Sequence, residues 1–235
     1  MRNYTPNKDV FLSNCLGYPV CNYTLSDDLN IRERMMYQVK ISANVDLNNK
    51  NKFLLDKGFK LITTNIHLEF IPTMDINIER KSDYDYLEEA QRHTDDILKI
   101  AIFSFTTNRY YSDPNISPLQ ACQIMEQWTY NCLYKERANH IFLQKDNDKV
   151  TGFLFSRVEE DKAIIDLLAV DKNYRSKKIG CKLVEQFFLK YAWSKDIKKL
   201  QVGTQITNMA AIKTYQSMGF KVNGFEQVYH LHTGV

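Results

Sequence analysis

The second half of the chain alternates between apolar runs and short polar turns. Three runs rich in β-branched and aromatic residues predict strands at 141–145, 150–158 and 163–170. The polar turns at 146–148 and 159–161 are short enough to join neighbouring antiparallel strands. The pattern therefore predicts a three-stranded antiparallel meander.

After the meander the apolar spacing changes to that of a helix. Residues 179–193 and 208–218 place apolar side chains along one helical face, and Gly219 provides a C-terminal cap for the second helix. Strands are predicted at 199–205 and 220–232. This part of the chain is therefore expected to form an α/β domain.

Two amphipathic helices are predicted before the meander, at 94–105 and 117–135, with a strand at 76–80 ahead of them. The aromatic residues on the second helix are expected to belong to a core. The segment 106–114 between the helices is polar and aromatic, and it is predicted to be a loop.

Loops held by a rigid scaffold often carry binding groups. Arg109 can pair with a phosphate, and Tyr110 and Tyr111 can stack on a base or a sugar. Together with Asn108 they are the candidate substrate-binding residues. The alternative is a plain exposed connection between two helices.

The first third of the chain predicts a small α/β domain. His67 and Glu69 share one face of a strand at 61–70, and a solvated face is favoured there over a substrate contact. A proline at position 72 marks the expected boundary, which gives domains at 1–72 and 73–235. The other predicted elements are short strands within 10–24, a helix at 29–39, an extended segment at 37–45 and a helix at 48–57 that ends at Gly58.

Composition narrows the function classes. The chain has 235 residues, a hydrophobic share of 44% and a formal net charge of +3, which is too small to indicate nucleic acid as the main partner. No apolar run approaches the roughly 20 residues needed to cross a bilayer, and the N-terminus lacks an apolar signal core, so a soluble cytoplasmic protein is expected. The five cysteines are scattered without metal-ligand spacing; reduced thiols and no metal centre are expected.

The segment 167–183 joins the last strand of the meander to the next helix. The first amides of a helix lack internal partners and attract anions, so a glycine-containing basic turn at this point predicts a phosphate site. For Cys181, a buried reduced thiol is favoured over a reactive thiolate. The residues that would form the site are Arg175, Lys177, Lys178 and Gly180.

This combination resembles the Gcn5-related N-acetyltransferase (GNAT) superfamily. The superfamily loop has Gln or Arg, two residues, Gly, one residue, and then Gly or Ala. Arg175 and Gly180 match its ends, and Lys178 stands where the middle glycine is usual. The resemblance extends in order over 152–155, 168–171, 174–180, Asn208, Tyr215 and 218–220.

The resemblance implies a GNAT fold, with a mixed, mostly antiparallel central sheet flanked by helices and preceded by the small N-terminal α/β domain. It also implies acetyl-CoA as cosubstrate and no metal. Acetyl-CoA would lie in a splay between the strand ending at Val170 and the strand at 199–205. The residues implied in binding it are Leu168, Val170, Arg175, Lys177, Lys178, Ile179, Gly180, Cys181 and Asn208.

The resemblance also implies catalytic roles. Tyr215 matches the tyrosine that protonates the leaving thiolate as general acid, with a buried structural tyrosine as the alternative. Asp166 stands where some members carry a general base, and a chain of water molecules is the alternative. Asn208 either contacts the pantetheine arm or caps its helix.

The segments 54–59, 105–111, 202–205 and 208–219 show a narrower resemblance, to the acetyltransferases that act on dTDP-fucosamine. It implies acetylation of a dTDP-linked 4-amino-6-deoxy sugar for a surface polysaccharide such as lipopolysaccharide. The acceptor pocket would involve the N-terminal domain and 108–113, with Arg109 on the nucleotide diphosphate. The alternatives are acetylation of a peptide N-terminus or small amine, and a non-catalytic acyl-CoA-binding module. A homodimer is left open.

Overall fold

The computed structural model describes residues 7–25, 34–42, 46–72, 86–134 and 137–234. The helices are α1 (Val10–Leu16), α2 (Leu47–Asp56), α3 (Leu87–Arg92), α4 (Thr94–Ser104), α5 (Arg109–Ser112), α6 (Pro118–Tyr134), α7 (Ile179–Tyr191) and α8 (Met209–Ser217). The strands are β1 (Asn7–Lys8), β2 (Val20–Asn22), β3 (Met35–Ser42), β4 (Lys60–Phe70), β5 (His140–Asp146), β6 (Lys149–Glu159), β7 (Lys162–Val170), β8 (Lys199–Gln205) and β9 (Lys221–Thr233). Within these ranges, none of the helices combines the length and the apolar character that crossing a membrane requires.

One compact unit is built from three separate stretches of the chain: 1–65, 107–124 and 224–235. Its strands form a mixed arrangement, because β1 is antiparallel to β2, β2 is parallel to β3, and β3 is antiparallel to β9. The β3–β9 ladder is long, running from Met35 opposite Thr233 to Ser42 opposite Glu226. Its hydrophobic core includes Tyr23, Tyr37, Leu54, Phe59 and Tyr229.

The other compact unit comprises 66–106 and 125–223. Strands β5, β6 and β7 form an antiparallel meander, and β7 is parallel to β8. Helix α7 buries its apolar face in a core shared with alternate residues of β8, as the spacings of 3.6 and 2 residues require. The core side chains on these two elements include Leu183, Val184, Phe187, Leu200 and Val202.

The mixed, mostly antiparallel arrangement with flanking helices confirms the predicted fold class. The predicted meander, the helices at α4, α6, α7 and α8, and the strands β4, β8 and β9 are all present. Gly58 and Gly219 follow their helices with φ of 86° and 89°, the left-handed conformation that glycine adopts at a C-cap.

Two predicted elements are wrong, and the prediction of short strands within 10–24 is right only for β2. The segment 10–16 is a helix, because Asp9 accepts a capping bond from the Leu12 amide and Gly17 ends the helix at φ 75°. Residues 35–39 are strand rather than helix, since their backbone pairs with β9. The loop at 106–114 contains the one-turn helix α5. The strand predicted at 76–80 lies outside the described residues.

The two units also differ from the expected division at residue 72. The chain leaves the first unit after Asn65, within β4, and returns to it at 107–124 and again at 224–235. The C-terminal return supplies β9 as the antiparallel partner of β3. A pairing between residues so far apart in the chain leaves no local signal in the sequence.

Candidate active site

The parallel strands β7 and β8 separate part-way along their length. Within the described stretch 137–234, their ladder pairs Lys162 with Lys199 and ends with Ile165 opposite Val202. Strand β7 nevertheless continues to Val170, and β8 continues to Gln205. Backbone groups on the facing edges of the two strands beyond this point are therefore available to a ligand.

A β-bulge lies at the point where the strands separate. On the β6 side, Phe155 pairs with Leu167 and Ser156 pairs with Ile165, so Asp166 is the extra residue in β7. A bulge bends a strand and increases its local twist. The bulge accounts for the divergence of β7 from β8.

The N-terminus of α7 follows the splayed end of β7 after a short polar turn. Lys178 is the N-cap residue, but its side chain makes no capping hydrogen bond, and the first helical turn holds no acidic residue. The amides of Ile179, Gly180 and Cys181 have no acceptor within the helix. Helix ends of this kind attract anions, because the amides are unpaired within the helix and lie at the positive end of its dipole.

Lys178 adopts φ 60° and ψ 14°, and Ser176 has φ 63°. Both are left-handed conformations that glycine adopts at lower energetic cost than other residues. The loop therefore forms the turn for which glycine is the usual residue, although Lys178 occupies the position.

Gly152 on β6 allows the start of α7 to pack closely on the sheet. A Cβ atom at Gly152 would lie 2.9 Å from Ile179 Cγ2, 3.2 Å from Leu183 Cδ1 and 3.0 Å from the carbonyl oxygen of Ala169. No side chain larger than hydrogen fits there without movement of the helix or of β7. Gly152 thus helps to set the height of the helix N-terminus above the sheet.

The basic residues of the turn are partly engaged with the protein. The Arg175 guanidinium donates to the Val170 carbonyl oxygen at 3.4 Å and to Ser104 Oγ at 3.3 Å. The Lys177 ammonium lies 4.6 Å from the centre of the Tyr174 ring. Arg175 therefore connects the turn to the end of β7 and to α4.

Tyr215 and Asn208 lie on α8. Tyr215 is buried in the core of its unit, where its ring meets that of Phe220 at a centroid distance of 5.8 Å. Burial raises the pKa of Tyr215 above its ordinary value, so the hydroxyl is protonated at neutral pH. Asn208 caps the helix by accepting the Ala211 amide at 3.2 Å.

Asp166 is enclosed by hydrogen-bond donors. Its carboxylate accepts from Trp128 Nε1 at 3.0 Å, from Arg137 Nε at 2.9 Å and from Arg157 Nε at 3.2 Å. Only 6% of its side chain is exposed. Two arginines and an indole hold Asp166 at the bulge.

A family model described as "Acetyltransferase (GNAT) family" matches residues 100–220, just over half of the chain. The chain belongs to the GNAT acetyltransferase family. The match includes the meander, the turn and α7, and it ends just after α8, so the splay and the helix end lie within the part shared with other GNAT proteins.

Two curated proteins and one solved structure are similar to this chain. The chain is 33% identical over 141 residues to the spore coat polysaccharide biosynthesis protein SpsD of Bacillus subtilis (strain 168), over 60% of this chain and 48% of SpsD. It is also 33% identical over 89 residues to N-acetylaspartate synthetase of Xenopus tropicalis, over 37% of this chain and 32% of that protein. The chain thus spans about half or less of each curated relative.

The crystal structure of a GCN5-related N-acetyltransferase from Sphaerobacter thermophilus matches with a TM-score of 0.56 at 12% identity. The match covers 85% of this chain and 60% of that one. At this identity the likeness concerns the fold, and it supports the GNAT architecture.

The predicted substrate-binding residues of this GNAT chain lie in the other unit, around α5. Asn108 caps the helix by accepting from the amides of Tyr110 and Tyr111. Tyr110 is 2% exposed, and its hydroxyl accepts a bond of 2.6 Å from Arg109. Tyr110 is therefore a core residue in this structure and has no face available for stacking on a base or sugar.

Two further groups of side chains were not among the predicted site residues, although His67 was weighed as a substrate contact. His67 on β4 lies beside β8 just past the end of the ladder, with Nδ1 3.7 Å from where a Cβ of Gly203 would stand. In the first unit, Asp113 contacts both His230 and His232. The spacing of two histidines with one residue between them on a strand is the signal that could have indicated the second group.

Proposed function

We propose that this chain transfers an acetyl group from acetyl-CoA to the amine of a nucleotide-linked amino sugar. The sugar would be a dTDP-linked 4-amino-6-deoxy sugar destined for a surface polysaccharide. The observation that carries the proposal is the splay between β7 and β8, which lies next to the uncapped N-terminus of α7. The proposed roles of individual residues in acetyl transfer follow from that arrangement.

Acetyl-CoA, the acyl donor of GNAT enzymes, supplies an activated thioester when bound. The residues fit such a cosubstrate: unbonded amides at Ile179, Gly180 and Cys181 suit a pyrophosphate, and Lys177 and Lys178 add positive charge. The edges of β7 at Leu168 and Val170 offer backbone groups to the amide-containing pantetheine arm. Asn208 contributes through its cap, which fixes the start of α8.

Tyr215 serves as the general acid in this proposal. Burial keeps its hydroxyl protonated, so a proton is present to give to a departing thiolate.

The general base is assigned to His67 in preference to Asp166. The carboxylate of Asp166 is occupied by Trp128, Arg137 and Arg157. His67 is exposed and lies beside Gly203, where β8 has separated from β7, and imidazole is the side chain most often used for proton abstraction. An amine deprotonated there can attack the thioester carbonyl directly.

The acceptor assignment is supported by two observations. SpsD, whose printed name places it in spore coat polysaccharide biosynthesis, shares 33% identity over 141 residues. Arg109, the residue that the resemblance implies for the nucleotide diphosphate, is a half-buried cation whose guanidinium donates to the Tyr110 hydroxyl. A nucleotide diphosphate provides anionic oxygens with which a guanidinium can pair.

Release of free thiol from acetyl-CoA tests the proposal. Purified protein should release thiol with dTDP-4-amino-4,6-dideoxygalactose and none with the same sugar already N-acetylated, the matched control that lacks an amine. Thiol release only with peptide N-termini or small amines would favour the alternative acceptor class. Tight acetyl-CoA binding without thiol release from any acceptor would indicate a non-catalytic acyl-CoA-binding module.

A further inference from the structure

Three ligand-type side chains meet in the unit that contains α5. Asp113 Oδ2 lies 2.6 Å from His230 Nδ1 and 2.7 Å from His232 Nε2. The three ligand atoms lie within 4.8 Å of one another. The side chains of Asp113 and His230 are fully buried, and that of His232 is 4% exposed.

The backbone holds these three groups in place from two distant parts of the chain. His230 and His232 are two residues apart on β9, so both side chains project from the same face of the strand. Asp113 follows α5, and its other carboxylate oxygen accepts the Asn115 amide at 2.9 Å. The carboxylate is thereby oriented towards the imidazoles.

The hydrogen bonds around His230 are incomplete. Gln38 stands directly opposite His230 in the β3–β9 ladder, so the two side chains share a face. The Gln38 amide nitrogen donates to Asp9 and Asn22, which fixes the amide orientation and leaves Gln38 Oε1 buried without a partner. His230 Nε2 is likewise buried without a partner among the described residues.

A proton on His230 Nδ1, donated to Asp113, leaves His230 Nε2 and Gln38 Oε1 as buried acceptors, and neither has a hydrogen-bond partner among the described residues. A metal ion on Nδ1 would place the proton on Nε2 instead and make that nitrogen a donor. Metal-bound histidines almost always donate their second ring nitrogen to a nearby acceptor. Gln38 Oε1 is an unpartnered acceptor on the residue directly opposite His230, although the two atoms form no hydrogen bond in this structure.

We infer that Asp113, His230 and His232 bind a divalent transition-metal ion of the zinc class through Oδ2, Nδ1 and Nε2. Two imidazoles and one carboxylate form a common three-ligand set for such ions. Metal–ligand bonds of about 2.0–2.2 Å require the ligand atoms to open by roughly 0.5–1 Å from their present separations.

The test uses tag-free protein that has been stripped with EDTA, dialysed and titrated with zinc chloride. We expect one zinc ion per chain, retained through gel filtration, and X-ray absorption that shows imidazole nitrogen and oxygen ligands without sulfur. Cobalt substitution provides an independent optical signal of the coordination. No zinc uptake, or zinc coordinated by cysteine sulfur, would overturn the inference.

Variants localise the site. Asp113→Asn and His232→Gln should each weaken zinc binding by about tenfold or more, and His93→Gln, a histidine in the other unit, should leave it unchanged. Circular dichroism checks that each variant is folded. Zinc affinity that is unaltered in folded Asp113→Asn and His232→Gln would contradict the assignment. If neither variant folds, the ligands that X-ray absorption identifies in the wild-type protein decide the assignment.

Discussion

At the scale of single residues, burial determines the chemical state of Tyr215. Desolvation raises the pKa of its phenol, which retains the proton that a general acid must supply. The family resemblance implies this role from the position of Tyr215, and it stays a prediction; in the structure the ring of Tyr215 packs against that of Phe220.

Replacing Tyr215 with Phe should lower turnover by about 10²–10⁴-fold, the usual contribution of a positioned general acid. Affinity for acetyl-CoA should change little, because only one hydroxyl is removed. Steady-state rates and calorimetric titration measure the two quantities. Tyr130→Phe, a change at a tyrosine with 40% exposure, is the matched control. Wild-type turnover in Tyr215→Phe would remove Tyr215 from the mechanism.

Substitutions at Asp166 and His67 should have different effects. The change at Asp166 should lower stability, and the change at His67 should lower turnover. Asp166→Asn leaves two arginines without their carboxylate and should lower the free energy of unfolding by about 1.5–3 kcal/mol. The control Asp161→Asn removes an exposed pair with Lys198 and should cost less than about 1 kcal/mol. Urea denaturation measures both.

His67→Gln should retain the wild-type free energy of unfolding and lose turnover, because His67 is exposed. If instead Asp166→Asn keeps its stability and loses turnover, the base would be Asp166.

The loop that contains Lys178 was predictable from its motif, but the backbone conformation of Lys178 was not. The spacing from Arg175 to Gly180 predicted a helix-end loop correctly, although a lysine replaces the usual glycine. The left-handed backbone of Lys178 is set by the turn as a whole, and no propensity of lysine could indicate it.

Lys178→Gly should raise the free energy of unfolding by about 0.5–1 kcal/mol. Relief of the left-handed conformation, about 1–2 kcal/mol, exceeds the entropic cost of a new glycine, about 0.4–1 kcal/mol. Lys177→Gly removes the same charge at a residue outside the left-handed region and should destabilise the protein. Thermal and urea unfolding measure the stability of both variants. A larger loss of unfolding free energy in Lys178→Gly than in Lys177→Gly would contradict this account.

At the scale of elements, strongly periodic segments were predictable and long-range pairings were not. The helix α7 and the meander follow from apolar spacing that is local to each segment. Strand β3 was predicted partly as helix because its conformation depends on β9, which lies near the other end of the chain. The bulge at Asp166 was equally invisible, since it is a property of the pairing between β6 and β7.

Gly152→Ala should lower the free energy of unfolding by about 1–3 kcal/mol, because the new methyl group would overlap Ile179 and the Ala169 carbonyl. Acetyl-CoA affinity should fall as well, since the start of α7 must move. Gly224→Ala, where no heavy atom lies within 4 Å of the added carbon, is the matched control and should change stability little. Equal stability of the two variants would show that α7 does not depend on Gly152.

At the scale of the whole molecule, the two compact units carry different parts of the proposed chemistry. The unit of 66–106 and 125–223 contains the splay, the α7 N-terminus and Tyr215. The other unit contains Arg109 and the Asp113–His230–His232 cluster. The family resemblance predicted the first set, and the polar segment 106–114 predicted Arg109 as a candidate. The Asp113–His230–His232 cluster comes from segments more than a hundred residues apart and required the structure.

The central claim is that the β7–β8 splay and the start of α7 form the acetyl-CoA site. Amide hydrogen exchange of the wild-type protein, with and without acetyl-CoA, tests it most directly. The account predicts slower exchange at 179–182 and along the diverging strand ends at 166–170 and 203–205. Bound acetyl-CoA that leaves exchange at all three segments unchanged would contradict it.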